Sequence, residues 1–334
     1  MAAFFNSLPG LGFGNYVLQT QVATVIPYFK KFIKTFPSVS RLAASELDFV
    51  LSHWSGLGYY ARARNLHAAA QIITQQYKGR FPQDPEQLQK LPGIGQSTAH
   101  AILALACDLP LPILDGNVKR VLTRHFAIEG WPERTEVKKK LWAIAEEIMP
   151  SKQAKEYTQG MMDLGALVCT SREPNCLACP LIATCQGYKT GRVKELPSPK
   201  LKKIITQRQQ CFLVLSDNTG RILLERRPPT GIWGGLWSLP EFQGEEETMA
   251  DWCLRHYGCE VSAIEALPAL KHLFSHFQLT LLPQHCTVAK KKARQVMENE
   301  RAWYTPEQWR ELGLAKPIRT ILERVGRKNE KSAV

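Results

Sequence analysis

The feature that most constrains this chain is a group of four closely spaced cysteines, Cys169, Cys176, Cys179 and Cys185. They follow the pattern C-x6-C-x2-C-x5-C, and no other cysteine lies between them. Four thiolates on one short loop can share one metal centre. Two symmetric CxxC knuckles far apart would be typical of zinc, whereas unequal spacing on a single loop favours a [4Fe-4S] cluster. We therefore predict an iron-sulfur cluster here, with zinc as the alternative.

The length and charge of the chain narrow the possibilities further. A chain of 334 residues is long enough for about two domains, each with its own core. The formal net charge of +13 favours a polyanionic partner, although the same charge could serve solubility alone. The other five cysteines are scattered, which is typical of a reducing compartment rather than of a disulfide framework.

No segment of the sequence predicts a membrane span or a secretory signal. The most apolar stretch, residues 99–114, is interrupted by His100, Asp108 and two prolines. The N-terminus carries no positive charge ahead of its apolar residues, as a secretory signal would. We therefore expect a cytoplasmic protein without membrane contact, and a monomer.

Composition and periodicity divide the chain into three parts. Residues 1–186 predict helices joined by short turns, including one capped by Ser45 and one capped by Asp84. Residues 187–207 are polar and basic, which is typical of a linker. In residues 208–328 the apolar period changes to two, with a hairpin around 218–220, and this indicates an α+β domain. The predicted fold class is thus multidomain, with an all-α domain before the linker.

A glycine turn in the helical part is the second informative motif. In LPGIGQSTAHAI, residues 91–102, Gly93 and Gly95 flank Ile94 in a tight turn ahead of a helix. Free N–H groups at the start of a helix can bind a phosphate without reading the base sequence. The turn resembles the helix-hairpin-helix of DNA repair proteins, although an ordinary turn between helices is the alternative.

The segment PILDGNVKRVLTR follows, and in it Asp115 stands 18 positions after Ser97. An isolated aspartate at a helix start is often only a cap. Together, the hairpin, this segment and the cysteine loop resemble the helix-hairpin-helix DNA glycosylase superfamily. The runs TQVATVIPYF, GLGYYARARNLH, ILDGNVKRVL and MMDLGALVC narrow the resemblance to adenine DNA glycosylases of the MutY type. It extends from about residue 18 to the C-terminal region.

This resemblance implies a site for monofunctional removal of adenine mispaired with 8-oxoguanine or guanine in double-stranded DNA. Asp115 corresponds to the carboxylate that stabilises the oxocarbenium-like transition state, and Asn117 shapes the same turn. Ser97 stands where the related bifunctional endonuclease III type has a nucleophilic lysine. Because a serine cannot form a Schiff base, strand cleavage by a lyase step is not expected, which argues against a bifunctional enzyme of that type.

The resemblance also implies DNA contacts. Leu57 and Tyr59 match residues that wedge into the duplex around the mispair, while Gln19 and Thr20 match a polar wedge at the opposing base. Arg62 is expected near the DNA backbone, although a solvated helix face is the alternative. Together with the hairpin, the DNA-binding residues are Gln19, Thr20, Leu57, Tyr59, Arg62, Gly93 and Gly95.

The C-terminal part resembles the Nudix-like domain that recognises 8-oxoguanine in this family, through RPPTGIWGGLWSLPEF and HLFSHFQL. Phe274, Ser275 and His276 match the loop that contacts the oxidised base, although a core strand edge is the alternative for this stretch. A Nudix hydrolase must also be weighed. Its metal-binding carboxylates would fall in DWCLRHYG, which offers Trp252, Arg255 and His256 instead, so pyrophosphate hydrolysis is not expected.

One family residue is missing. The family has a glutamate just before the TQVATV segment that protonates the leaving adenine, and this chain has GFGNYVLQ there, with Gly14 or Asn15 at the matching position. The first acidic residue of the sequence is Glu46. General acid catalysis contributes about 10²–10⁴ in rate, so we expect severely impaired excision. A truncated gene product and a catalytically dead mispair-binding protein are the alternatives.

Overall fold

The computed structural model describes residues 22–200, 205–244, 247–274, 276–291 and 301–332. As far as they are described, the residues form two compact units. One unit takes the described residues within Met1–Ala44 and Asn65–Lys202, and the other takes those within Ser45–Arg64 and Lys203–Val334. A short stretch of the helical half, Ser45–Arg64, therefore packs with the C-terminal part of the chain.

The helical half confirms the predicted all-α architecture. Its helices, in chain order, are α1 Val22–Thr35, α2 Val39–Ala43, α3 Leu47–Trp54, α4 Tyr60–Gln76, α5 Pro85–Gln89, α6 Gln96–Cys107, α7 Gly116–His125, α8 Thr135–Glu147, α9 Ala154–Asp163 and α10 Gln186–Lys189. A π-helical turn, Leu164–Val168, extends α9 toward the cysteine loop, and a 3-10 turn, Cys176–Ala178, lies inside that loop.

The core of the first unit forms around α7. Its apolar side chains recur at the three- and four-residue spacing of one helix face, so Val118, Val121 and Leu122 are all buried. They pack against Leu141 of α8 and Met161 of α9. Each such side chain contributes about 1.5–3 kcal/mol when fully buried, which fixes the position of α7 in the unit.

The predicted helix caps have different outcomes. Asp84 caps α5 by accepting a hydrogen bond from Gln87 N at 2.8 Å, as predicted. The prediction for Ser45 is wrong, because the residue at the N-cap of α3 is Glu46, which makes no side-chain capping bond. Asp48 instead accepts hydrogen bonds from Arg226 at 2.8 Å and from Trp237 at 3.2 Å, both in the second unit. Tertiary partners of this carboxylate thus replace the local capping pattern.

The segment after the cysteine loop is held against the first unit. Leu196 is 1% exposed, and its carbonyl oxygen accepts a hydrogen bond from Arg124 Nε at 2.8 Å. Ser198 Oγ accepts a hydrogen bond from Gly130 N at 3.2 Å. The polar composition of residues 187–207 predicts a linker, and as far as residue 200 this stretch is bound to the helical unit.

The second unit is an α+β domain, as predicted. Its elements are β1 Thr206–Ser216, β2 Ile222–Arg226, β3 Trp237–Ser238, β4 Glu241–Phe242, α11 Met249–Tyr257, β5 Cys259–Ala266, β6 Leu270–Leu273, β7 Phe277–Lys291, β8 Arg301–Tyr304, α12 Pro306–Arg310 and α13 Lys316–Ser332. The main path through the sheet runs β3-β2-β1-β7-β5. β1 and β7 are parallel, in register from Thr206↔Phe277 to Ser216↔Thr287.

The predicted hairpin joins β1 and β2, and Gly220 adopts φ +77° in its turn. Leu213, Leu215 and Leu223 pack against Cys253 and Tyr257 of α11 to form the core on that side of the sheet. Helix α13 has no counterpart in the sequence prediction. Within the described part of the chain, no helix is long and apolar enough to cross a lipid bilayer.

Candidate active site and cysteine pocket

Asp115 stands at the N-terminus of α7 and caps that helix. Its Oδ1 accepts a hydrogen bond from Val118 N at 2.7 Å. Burial raises the pKa of this carboxyl, while bonds from the backbone of Val118 and Asn117 and the charges of Arg120 and Lys119 act in the opposite direction. The local capping interpretation is therefore correct, and it coexists with a desolvated carboxylate held in one orientation. Such a group can stabilise a positive charge that develops beside it.

Two side chains of α6 hold the loop that leads to Asp115. Ser97 Oγ accepts a hydrogen bond from Leu114 N at 2.9 Å. The Nδ1–H of His100 donates to Pro112 O at 2.7 Å, and the His100 ring lies edge-on to Trp142 at 5.9 Å. Ser97 thus binds the residue directly before Asp115 and acts in its positioning. His100 is a positioning residue that the sequence prediction lacks.

The two hairpin glycines differ in whether the fold has room for a side chain at their positions. Gly93 has φ +77°, and a Cβ added there would lie 2.8 Å from the Asn65 side chain. Gly95 is the N-cap of α6, and a Cβ there would meet nothing within 4 Å. Gly93 is therefore required by the fold. Gly95 leaves open space at the helix start, where a phosphate could approach the free N–H groups.

Asn117 lies in the first turn of α7 and connects Asp115 to the cysteine loop. Its Oδ1 accepts a hydrogen bond from Arg120 Nη2 at 2.8 Å. The same guanidinium donates to Gly165 O at 2.5 Å and to Cys169 O at 2.7 Å. Gly165 packs so tightly on Asn117 that an added Cβ would lie 2.6 Å from the Asn117 Cβ. Arg120 thus joins the turn after Asp115 to the first cysteine.

Arg124, one helical turn after Arg120, is almost fully buried at 3% exposure. Its guanidinium donates to Thr170 O at 2.6 Å, to Ser171 O at 3.1 Å and to the sulfur of Cys169 at 3.4 Å. Its backbone oxygen accepts a bond from the Cys185 thiol at 3.6 Å. Arg124 therefore contacts both ends of the cysteine loop. The sequence prediction gives no role to Arg120 or Arg124, although their four-residue spacing places both on one helix face.

The four cysteines line one small pocket with a cavity volume of about 30 Å³. The lining residues are Arg124, Val168, Cys169, Pro174, Asn175, Cys176, Cys179, Ile182, Cys185, Tyr188 and Val193. Burial and then the nearby charges of the other three cysteines raise the pKa of the Cys176 thiol, so the four sulfurs interact. Among the described residues, no group of three or more His, Cys, Asp or Glu side chains is arranged to hold a metal ion.

The four-cysteine donor set can be compared with two kinds of metal centre. One zinc ion would need four sulfurs about 2.3 Å from a common point, whereas a cubane cluster separates its four thiolates around a larger body. The four described cysteines line one pocket without the close convergence that a single ion needs. The buried Arg124 cation beside Cys169 would offset part of the negative charge that four thiolates bring.

Leu57 and Tyr59 lie in the turn between α3 and α4, which belongs to the second unit together with Arg62. Tyr59 is 56% exposed, and it adopts φ +49°, a left-handed conformation that is uncommon for a bulky residue. The Arg62 guanidinium lies 5.4 Å from the centre of the Tyr59 ring. An exposed aromatic ring held in a strained turn suggests a functional role.

Phe274 and His276 lie between β6 and β7 in an aromatic group. Phe274 stacks on Phe277 at 4.4 Å, and its ring lies 5.7 Å from Trp233. His276 lies 4.8 Å from the Phe277 ring. Phe277 is 1% exposed, which agrees with the alternative of a strand edge in the core at that position, whereas Phe274 is half-buried and His276 is exposed. Ser275 lies outside the described residues, as do Gln19 and Thr20 and the positions Gly14 and Asn15.

The helix that would carry the Nudix motif is α11. Trp252 stacks on His256 at 3.9 Å, and Arg255 forms an ion pair with Glu247. These side chains occupy the positions where a Nudix hydrolase needs metal-binding carboxylates.

Two family models match the chain. Residues 18–147 match the HhH-GPD superfamily base excision DNA repair protein model, and residues 211–324 match the NUDIX domain model. The adenine DNA glycosylase of Buchnera aphidicola subsp. Schizaphis graminum is 38% identical over 91% of this chain and 87% of its own length. The chain belongs to the adenine DNA glycosylase family. The mouse adenine DNA glycosylase is 31% identical over 78% of this chain and 61% of its own length.

Family membership confirms the predicted activity class, base-excision repair by an adenine DNA glycosylase. A thermostable thymine-DNA glycosylase of known structure has a TM-score of 0.50 and 24% identity over 55% of this chain and 85% of its own. That likeness shows the helical glycosylase fold. The predicted fold class, a helical glycosylase domain followed by a Nudix-like domain, is thus confirmed.

Proposed function

We propose that this adenine DNA glycosylase acts, as a monomer, on double-stranded DNA in which adenine is paired with 8-oxoguanine or guanine. The reaction is monofunctional hydrolysis of the N-glycosidic bond, which leaves an abasic site. The observation that carries this proposal is Asp115, a desolvated carboxylate fixed as the cap of α7. The net charge of +13 supports a DNA partner.

Asp115 stabilises the positive charge that develops on the sugar as the bond to adenine breaks. Its orientation is fixed by Val118 N on one side and by the Ser97 bond to Leu114 N on the other. A preorganised charge needs no rearrangement when the reaction occurs, and this makes it effective. Asn117 keeps the turn in place through its bond with Arg120.

Ser97 supports a reaction without strand cleavage. Its hydroxyl binds a backbone N–H, and serine cannot form the Schiff base that a lyase step needs. Borohydride treatment of the protein with abasic DNA should therefore trap no covalent adduct. A trapped adduct of this chain would contradict the monofunctional assignment.

Cys169, Cys176, Cys179 and Cys185 would hold a [4Fe-4S] cluster, which supplies a structural anchor rather than redox chemistry at the base. The lining of one pocket by all four sulfurs supports this, and the adjacent Arg124 supports it electrostatically. Iron and sulfide analysis of the purified protein tests it. About four irons per chain are expected, and stoichiometric zinc would contradict the assignment.

The Nudix-like domain would recognise the base opposite adenine through the loop of Phe274, Ser275 and His276. The aromatic group around Phe274 supports a stacking role for it. Leu57 and Tyr59 would enter the base stack, with Gln19, Thr20, Arg62, Gly93 and Gly95 as further DNA contacts. Apolar and aromatic wedges offset the unstacking that accompanies base flipping.

We also propose that excision by this chain is severely impaired, because Gly14 or Asn15 stands at the position that matches the family glutamate. The leaving adenine needs a proton, and general acid catalysis contributes about 10²–10⁴ in rate. A single-turnover adenine-release assay on an 8-oxoguanine:adenine duplex tests this. A rate equal to that of a relative carrying the family glutamate would refute it.

The same missing carboxylate favours a second function, mispair binding without catalysis. Binding needs the wedge residues, the hairpin and the Nudix-like loop, and these do not depend on the acid. Tight, selective binding of 8-oxoguanine:adenine DNA with no adenine release would support this second function. Weak, unselective binding would refute it.

A further inference from the structure

The turn between α3 and α4, residues 55–59, is held in an unusual conformation. Gly56 has φ +101°, Gly58 has φ +75° and Tyr59 has φ +49°, so most of the turn is left-handed. A tyrosine in this region persists only when its surroundings determine it. We call residues 55–59 the wedge loop, since they carry Leu57 and Tyr59.

Internal bonds close the wedge loop. Trp54 Nε1 donates to Gly58 O at 3.0 Å, and Leu57 N donates to Trp54 O at 3.2 Å. Gly56 N donates to the hydroxyl of Tyr60 at 3.4 Å. These bonds define the shape of the loop, but by themselves they do not fix its position relative to the rest of the second unit.

One backbone oxygen of the Nudix-like domain accepts hydrogen bonds from Ser55, at the start of this loop, and from Tyr60, directly after it. Ser55 Oγ donates to Leu314 O at 3.1 Å, and the Tyr60 hydroxyl donates to the same oxygen at 3.0 Å. These partners are separated from Leu314 by 259 and 254 positions in the sequence. Because Tyr60 also accepts the bond from Gly56 N, its hydroxyl connects the loop backbone directly to Leu314.

The segment around Leu314 is itself rigid. Leu314 is fully buried, and Gly313 O accepts a hydrogen bond from Trp237 N at 3.0 Å, which ties the segment to β3. A Cβ on Gly313 would lie 2.8 Å from the Leu51 Cβ of α3. Arg319 of α13 donates to Leu312 O at 3.2 Å and to Ser55 Oγ at 3.5 Å.

We propose that Ser55 and Tyr60 are positioning residues through which the Nudix-like domain sets the wedge loop for insertion into DNA. This inference rests on the proposed wedge role of Leu57 and Tyr59. It gives the C-terminal domain a second task that does not depend on the base opposite adenine. Removing the anchor therefore weakens the distortion of guanine:adenine and 8-oxoguanine:adenine mispairs alike, whereas changes at Phe274 affect only the oxidised base.

The test is a fluorescence assay that needs no catalysis. Duplexes carrying either mispair, with 2-aminopurine next to it, are titrated with the full chain, and the rise in fluorescence reports local unstacking. The double variant Ser55→Ala/Tyr60→Phe removes both bonds to Leu314 O without changing the tyrosine ring. We expect it to lose most of the fluorescence rise and to bind both duplexes about fivefold or more weakly.

Control variants distinguish the loss of this anchor from a general loss of stability. Ser262→Ala removes another serine bond to a carbonyl oxygen, Thr287 O at 3.2 Å, on the exposed strand β5, and should leave the signal unchanged. Ser55→Thr/Tyr60→Phe keeps a hydroxyl at position 55 and should retain part of the signal that Ser55→Ala/Tyr60→Phe loses. Thermal unfolding of each variant shows whether it is folded, and if the double variant is not, Tyr60→Phe alone carries the test.

Leu57→Ala and Tyr59→Ala distinguish the two levels of the proposal. If they leave the fluorescence rise intact, or if the unsubstituted chain gives none, the wedge role fails and the anchor with it. If they abolish the rise and a folded Ser55→Ala/Tyr60→Phe variant keeps it in full, the anchor alone is refuted. An effect of the double variant on the 8-oxoguanine duplex only would also overturn the inference.

Discussion

Replacing Arg124 by methionine tests whether this buried side chain holds the cysteine loop. Methionine has a similar reach and no charge or donor, so the volume is largely kept while the hydrogen bonds to Leu196, Thr170 and Ser171 are lost. Ser171 is exposed, so its carbonyl oxygen can bind water instead. Leaving the Leu196 and Thr170 carbonyl oxygens without a donor costs about 1–3 kcal/mol each, or about 2–6 kcal/mol together. Since a domain is stable by about 5–15 kcal/mol, this is a large fraction of the total.

Urea unfolding followed by far-ultraviolet circular dichroism measures that loss. The visible absorbance of the proposed cluster, recorded in parallel, should disappear at lower urea than in the unsubstituted protein. Arg134→Met is a matched control, since Arg134 is 72% exposed and forms an ion pair at 3.3 Å with the equally exposed Glu136. It should change stability by less than about 0.5 kcal/mol. An Arg124→Met variant within about 1 kcal/mol of the parent would refute the reasoning.

Three further predictions concern the sites. Burial raises the pKa of Asp115, so its contribution to stability is complete below the pKa of the unfolded chain and is lost as pH rises through the raised folded pKa. Asp115→Asn keeps a capping oxygen, so at pH 7 the variant should unfold at no lower urea concentration than the parent, and its stability should vary less between acid and neutral pH. Any residual adenine release should fall. A loss of more than about 1 kcal/mol in the free energy of unfolding at pH 7 contradicts this prediction. Phe274→Ala should weaken binding to 8-oxoguanine:adenine DNA by roughly 1–3 kcal/mol in a titration, and an equal loss with guanine:adenine would argue against base recognition. Gly93→Ala should lower the melting temperature, because Gly93 has φ +77° and an added Cβ would meet the Asn65 side chain. Gly95→Ala should leave the melting temperature unchanged and weaken DNA binding. Equal effects of the two variants on the melting temperature would contradict these different roles.

Local patterns in the sequence predicted the parts of the site that depend on few consecutive residues. The cysteine loop, the turn at Gly93 and the cap at Asp115 each need only a short stretch of chain, so spacing and residue type are enough to recognise them. The resemblance of longer runs then led to the family, and family membership confirms the activity class and the order of the two domains.

Long-range partners were beyond the reach of those patterns. Periodicity shows that one face of α7 turns inward, but not that Arg124 meets Leu196, 72 positions later, and Cys169, 45 positions later. Likewise Ser45 has the local features of a cap, yet α3 begins after Glu46, and Asp48 binds Arg226 instead.

By itself, the sequence determined the cysteine loop, the glycosylase hairpin and the motifs that point to the family, because each is a property of neighbouring residues. Only the tertiary structure decided that Ser45–Arg64 packs with the Nudix-like domain. It also decided that one carbonyl oxygen, that of Leu314, receives bonds from both Ser55 and Tyr60. The physical reason is that a hydrogen bond depends on where two groups meet in space, and a backbone carbonyl leaves no mark on the sequence.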